Sequence, residues 1–364
     1  MMQLDSYLTE YLSDYKNYKD YWNYEDGCII VGCIDMYRAT GEEKYRDFVL
    51  KYVDANVQPD GSIPRFNMKQ YATDNINPGK ALFFALDETG DEKYQKAIEF
   101  HMTRICQHPR CDCGNFWHKE NYPYQVWLDG LYMVQPFYMM YEKRFDHNAH
   151  LQDIISQFMN VRKYLFDDAK QLYYHAWDER KVQKWANPNT GCSPNFWLRS
   201  MGWYLMSLID CIEYCDEQLF EHRKYLIDLF REAVRGILDY MDKDHKLFYQ
   251  VIDHPEYPGN YLESSGSAMI AYSLLKGSRL RVLNPEKYAV VGKAVMEHLV
   301  QEKLVTDDQG EQHFSGICRV AGLGPGEKRD GSIEYYLSEE ICSDDAKGVG
   351  PLMMAYSEYC MEEK

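Results

Sequence analysis

The feature that most constrains this chain is a recurring decapeptide: ATGEEKYRDF at 39–48 returns as ETGDEKYQKA at 88–97, and NPEKYAVVGK at 284–293 follows the same plan. Each copy sets a small or turn residue before acidic residues, and Lys-Tyr then opens an amphipathic run. That order starts an α-helix, because first-turn carboxylates face the unpaired N–H groups and the positive end of the helix dipole. Between the copies lie short aromatic segments: DGSIPRF at 60–66, GNFWHKE at 114–120, KQLYYHAWDE at 170–179, HKLFYQVIDH at 245–254 and EQHFSGICRV at 311–320. Two of them align along their length, DDAKQLYYHAWD at 167–178 and DKDHKLFYQVID at 242–253, so one structural unit is used again. Successive segments are spaced by about 55–75 residues, room for two helices and a loop, and such periods belong to arrays or closed rings of repeated units.

The stretches between loops have helical periodicity. LIDLFREAVRGILDYM at 226–241 and IISQFMNVRKYLF at 154–166 both repeat apolar residues every three or four positions. No ladder of alternating strands and helices is visible. Five loops, and a sixth unit opening near YWNYEDG at 21–27, make about six helical hairpins. The expected fold is all-α: a toroid of about twelve helices with its aromatic loops at one end. No Pro/Gly-rich linker or low-complexity tract divides the chain, so a single domain over 1–364 is expected.

A formal charge of −17 argues against a nucleic-acid backbone as partner, which needs clustered Lys and Arg to replace counterions. It does not exclude an acidic small molecule, since one or two basic residues in a pocket outweigh a distant, screened acidic surface. The N-terminus lacks the basic and apolar regions of a secretory signal, no run approaches the roughly 18 apolar residues of a membrane span, and eleven cysteines lie scattered from Cys28 to Cys360. A cytoplasmic protein without membrane partners is expected. The 32 Tyr, 15 Phe and 7 Trp can fill a core or wall a sugar site.

Among the residues able to carry chemistry, Asp129 stands out. From Tyr124 to Tyr141 only Gln125, Asp129 and Gln135 have side chains that are neither apolar, aromatic, Gly nor Pro. A carboxylate so placed is costly to ionise, so a raised pKa and a general-acid role are expected; capping of a helix is the competing reading. Asp74, in TDNINPGK before an apolar helix with an early Pro, reads alone as a helix cap, and with Asp129 as half of a carboxyl pair of the kind that cleaves sugars. His175 lies among Tyr173, Tyr174 and Trp177, and Arg199 between Trp197 and Trp203, an arrangement suited to gripping a carboxylate while rings cover a sugar face, or to a core Trp pair with Arg at its rim. His118 and Lys119 follow Trp117 shortly before Asp129. Cys111, Cys113 and His118 suggest zinc, but CxC followed by a single His lacks the paired spacing of a zinc site, and no metal is expected. There is no GxSxG elbow, GxxxxGK[ST] loop or GxGxxG turn after a strand.

The series TDNINPGK, FWHKENYPYQVWLDGLYM, HAWDE, FWLRSMGWY, YLESSGSAMIAY, VAGLG, RDGSIEYYLSE and DDAKGVGPLMMA resembles the unsaturated rhamnogalacturonyl hydrolases of glycoside hydrolase family 105, in order from about residue 20 to the C-terminus. The resemblance implies an (α/α)6 barrel and no metal or organic cofactor. It also implies a substrate with a 4,5-unsaturated galacturonyl residue at its non-reducing end, left by pectin lyases, whose vinyl ether is hydrated. Asp129 would protonate C4 and help water add at C5; the hemiketal opens and the aglycone, typically rhamnose, leaves. Asp74 matches a second carboxylate near the sugar. His118, His175, Trp197, Arg199 and Trp203 match pocket positions, with Tyr24 and Lys119 as further substrate-binding candidates. One departure is LRSMGW, where the family pattern is Gly-Arg-x-Asn-Gly-Trp: Leu198 and Met201 replace a small and a polar residue on the expected aglycone side.

Three other readings are separable. An unsaturated glucuronyl hydrolase would share barrel and chemistry but prefer glycosaminoglycan-type disaccharides. A sugar epimerase or isomerase would need a second histidine opposite His175 and would release no aglycone. A non-catalytic carbohydrate-binding protein would show no turnover for Asp129→Asn to remove.

Overall fold

The computed structural model describes residues 2–326 and 328–362. It is an (α/α)6 barrel, as the hairpin count and the resemblance lead one to expect. The inner helices are α2 (Tyr24–Thr40), α4 (Lys80–Thr89), α6 (Leu128–Phe145), α8 (Leu198–Tyr214), α10 (Ser264–Arg279) and α13 (Ala346–Glu362), and each packs on the next until α13 closes against α2. Around them stand α1 (Met2–Asp14), α3 (Glu43–Asn56), α5 (Glu92–Cys106), α7 (Leu151–Leu165), α9 (Phe220–Leu238) and α11 (Pro285–Lys303). A short helix, α12 (Ile333–Ser338), belongs to the loops. No helix among the described residues is long and apolar enough to cross a membrane.

Inner and outer helices differ in sequence because they differ in surroundings. In α8, residues 198–212 are all buried, and in α10 residues 264–278 are, so these helices are mostly apolar or small, and their buried charges are paired, as Lys276 of α10 is with Asp210 of α8. On α9 the buried residues recur at helical spacing, from Leu226 and Leu229 through Phe230, Ala233 and Val234 to Ile237, and the opposite face meets solvent. Close packing of the inner ring needs glycine at Gly350, where a Cβ would stand 2.5 Å from the Cys28 carbonyl oxygen of α2.

The decapeptide repeat turns out to be the turn from an inner helix to the next outer one. In its first two copies Gly41 (φ 77°) and Gly90 (φ 68°) end α2 and α4 in the left-handed conformation, and Glu43 and Glu92 then open α3 and α5. In the third copy Asn284 caps α11 through the Glu286 N–H.

Among the described residues strands occur as four antiparallel pairs: β1 (Gln125–Trp127) with β4 (Ala176–Asp178), β2 (Phe166–Asp167) with β3 (Leu172–Tyr173), β5 (Leu304–Thr306) with β6 (Gln312–Phe314), and β7 (Ile317–Cys318) with β8 (Ile341–Cys342). The aromatic loops tie neighbouring hairpins together in one repeated way. The N–H at or near the start of an inner helix donates to a carbonyl in the next hairpin's loop: Thr73 to His118, Leu128 to His175, Leu198 to Gln250 and Ser264 to Gly316. The paired loops therefore hold the inner-helix N-termini together at one end of the barrel.

Candidate active site

This end of the barrel has a simple register. The second residue of five of the six inner helices is Glu25 in α2, Asp129 in α6, Arg199 in α8, Ser265 in α10 and Lys347 in α13, and Asp74 is the second residue of the turn Thr73–Asn75 that precedes the sixth, α4. Six positions far apart in sequence thus form one mouth. Glu25, Asp74 and Asp129 make a carboxylate side, and Arg199 and Lys347 a cationic one. Helix N-termini converging on the same place add positive potential and favour an anionic group there.

Asp129 follows β1, whose pairing with β4 sets His175 beside it. The His175 Nε2 to Asp129 Oδ2 distance is 3.4 Å, and both atoms are buried without a hydrogen-bond partner. A buried, unsatisfied pair of this kind is expensive in a structural role. His175 Nδ1 is 2.8 Å from the Tyr336 hydroxyl; when that hydroxyl donates, the proton of the neutral ring sits on Nε2, facing Asp129. Asp129 does not carry the raised pKa that its apolar run leads one to expect. Burial pushes it up, but His175 and His118 outweigh burial and hold the carboxyl below its ordinary range. The apolar run around Asp129 concealed these two histidines because they come from other loops. Asp129 is not the N-cap of α6 either; that position is Trp127.

His118 sits between the two acids. Its Nδ1 is 3.1 Å from the Thr73 hydroxyl, its ring lies nearly parallel to Trp127 at 4.5 Å, and burial lowers its pKa to about 4 despite Asp74 and Asp129. Gly130 makes this approach possible, since a Cβ there would be 3.3 Å from His118 Nδ1. Asp74 does not cap a helix: its Oδ2 is 2.6 Å from Lys119 Nζ. Burial raises its pKa, but Lys119 and His118 bring it below the usual value.

On the opposite side Arg199 donates through Nη1 to the Ser265 hydroxyl and the Cys318 carbonyl and lies over Trp197, 4.9 Å from the ring centre. The Trp197 ring is 4.7 Å from that of His175, and its indole N–H donates to Gln250. Tyr24 opens α2 and interacts electrostatically with Arg199 and Asp74. Trp203 stands one turn deeper, stacked on Tyr132 at 4.8 Å, so it belongs to the floor and not to the rim. Leu198 and Met201 are fully buried, with Leu198 packed against Gly266 of α10, so both back the site.

Glu25, Ser265, Lys347, Gln250 and Tyr336 escaped sequence reasoning. The first three share the register of Asp129, and Gln250 occupies the place of His175 in the aligned repeat, so both signals were present. Lys347 bonds Asp345 and the Tyr18 hydroxyl and is electrostatically coupled to Arg199 and Glu25. A separate open groove, lined by Tyr164, Trp185, Asn187 and Thr190, contains none of these ring residues.

Comparison with known proteins agrees with this architecture. A solved family 105 glycoside hydrolase of C. acetobutylicum is 41% identical, with a TM-score of 0.92 over 97% of this chain and 98% of its own. A protein of Agrobacterium fabrum is 39% identical over 231 residues, 62% of this chain and 97% of its own length. The unsaturated rhamnogalacturonyl hydrolase YesR of Bacillus subtilis is 26% identical over 71% of this chain and 72% of its own. The model of Glycosyl Hydrolase Family 88 matches residues 3–362, and with the full-length likeness to a family 105 enzyme this makes the chain a member of the family 88/105 group of glycoside hydrolases.

Proposed function

We propose that this protein removes the 4,5-unsaturated galacturonyl residue from unsaturated rhamnogalacturonan disaccharides by hydrating the vinyl ether. The observation that carries the reading is the unsatisfied Asp129 Oδ2 and His175 Nε2 pair, set between a carboxylate side and the cationic side of Arg199 and Lys347. An unsaturated uronate suits both halves. Its carboxylate is drawn toward Arg199, and its reacting alkene carbons lie toward Asp129.

Asp129 is ionised in the free enzyme and becomes a proton donor in the complex. The anionic substrate brings negative charge and displaces water, and both effects raise a carboxyl pKa. Protonated Asp129 delivers its proton to C4, and water adds at C5 as the same carboxylate takes a proton back. The hemiketal opens and releases the aglycone. No glycosyl-enzyme bond is required, so Asp74 serves as an auxiliary that holds Lys119 and biases His118. His118, His175, Trp197, Tyr24 and Lys119 position the sugar, and Trp203 supports the floor on which Arg199 stands. The reaction uses no metal or organic cofactor.

The resemblance to family 105 and the name of the YesR relative support the galacturonyl–rhamnose substrate over a glucuronyl one. Loss of alkene absorbance on pectin-derived and glycosaminoglycan-derived unsaturated disaccharides tests the choice. The pectin-derived substrate is expected to have the higher kcat/KM, and the reverse order would move the protein to the glucuronyl reading.

A further inference from the structure

Away from the mouth, the loop joining α5 to β1 brings two cysteines to a carboxylate from another hairpin. The Cys111 and Cys113 sulfurs and a Glu179 carboxylate oxygen all lie within 4.8 Å of one another. Spacing alone spoke against a metal, because CxC followed by a single histidine, His118, does not make a zinc pattern. The fold takes His118 away to Thr73 and Trp127, and supplies Glu179 in its place.

We propose that Cys111, Cys113 and Glu179 bind one thiophilic divalent cation of the zinc type, with water completing a tetrahedron. Two thiolates and a carboxylate are suitable donors for such an ion, and a tetrahedron with metal–sulfur bonds of about 2.3 Å places two sulfurs about 3.8 Å apart, so closure from ligand atoms within 4.8 Å of one another asks for a movement of at most about 1 Å. Glu179 is already aimed at the loop: its two oxygens accept the N–H groups of Asp112 at 2.8 Å and Cys113 at 2.9 Å. Such outer bonds fix a ligand's direction before metal arrives. Asp112 is held by Arg180, which leaves the fourth position to solvent, and Cys113 and Glu179 are partly exposed, so an ion has access. The other acid and histidine clusters, Glu142 with Asp146 and His150 and Asp307 with Glu311 and His313, offer no sulfur.

The ion would tie the loop carrying His118 and Lys119 to the end of β4, the strand that follows directly on His175, the partner of Asp129. It would stiffen both histidines beside Asp129 without touching substrate.

The test is titration of the metal-free, fully reduced full-length protein with Cd2+, followed by the ultraviolet sulfur-to-cadmium charge-transfer band, with Zn2+ as competitor. The band is expected to saturate at one equivalent and to be displaced by Zn2+. It should persist in Cys106→Ser and vanish in the double variant Cys111→Ser/Cys113→Ser. Glu179→Gln, which keeps both thiols, should weaken binding by at least about tenfold. Absence of a stoichiometric band in the unaltered protein, or an unchanged band in the double variant, would overturn the proposal. Neither result bears on the proposed hydrolase activity.

Discussion

At the residue scale the account rests on Asp129 and the groups that set its charge. Asp129→Asn keeps size and fold but removes the proton donor, so turnover should fall by several orders of magnitude while circular dichroism stays unchanged. Because His175 and His118 hold the free carboxyl low, and the donor form is the protonated one, kcat/KM should climb as pH falls from about 8 toward 5. In the complex the substrate's charge raises that pKa, so kcat should stay level to higher pH than kcat/KM does; a kcat/KM that rises with pH would contradict the donor role. Arg199→Lys keeps the charge but loses the planar fork, and a charge-assisted hydrogen bond worth about 1.5–3 kcal/mol predicts a KM higher by roughly ten- to a hundredfold with kcat less affected. The sequence showed Asp129 as the lone acid of an apolar run, and that much was legible. Its protonation state was not, since His118 and His175 reach it through pairings between loops.

At the element scale the visible signal was the turn between inner and outer helices, because Thr-Gly-acid-acid-Lys-Tyr encodes a left-handed stop and a helix start within a few residues. The inner helices were harder to read. A helix buried on nearly every side, as α8 and α10 are, lacks the charged solvent face that marks an outer helix. Of the two readings of Asp74, the helix cap fails because Pro78 and the short turns before Lys80 delay α4, leaving Asp74 free to pair with Lys119. The tight inner ring makes a prediction of its own. Gly350→Ala drives a methyl group into the Cys28 carbonyl and should cost about 1–3 kcal/mol, seen as a lower denaturant midpoint. Gly90→Ala meets nothing within 4 Å and should cost only the roughly 1 kcal/mol of a left-handed alanine.

At the scale of the whole molecule, closure of the barrel makes one site from residues as distant as Glu25 and Lys347. No local pattern reveals that register until the helices are counted and their N-termini aligned. Burial of histidines by the same closure sets the acid stability. His101, His108 and His118 have pKa values lowered to about 4, so each favours the folded state above the unfolded value near 6.5, and that contribution fades as pH falls from 6.5 toward 4. The loss at pH 5 is about 2 kcal/mol for each, an upper figure that a falling Tm between pH 7 and 5 should display. Hydration of an unsaturated uronyl group through Asp129 is measured with an unsaturated galacturonyl–rhamnose disaccharide, alkene absorbance and released rhamnose being followed together. The unaltered enzyme is expected to consume the absorbance with release of one rhamnose per alkene, and Asp129→Asn to do neither at a measurable rate. Persistent absorbance with the unaltered enzyme, or undiminished turnover in Asp129→Asn, would contradict hydration through Asp129.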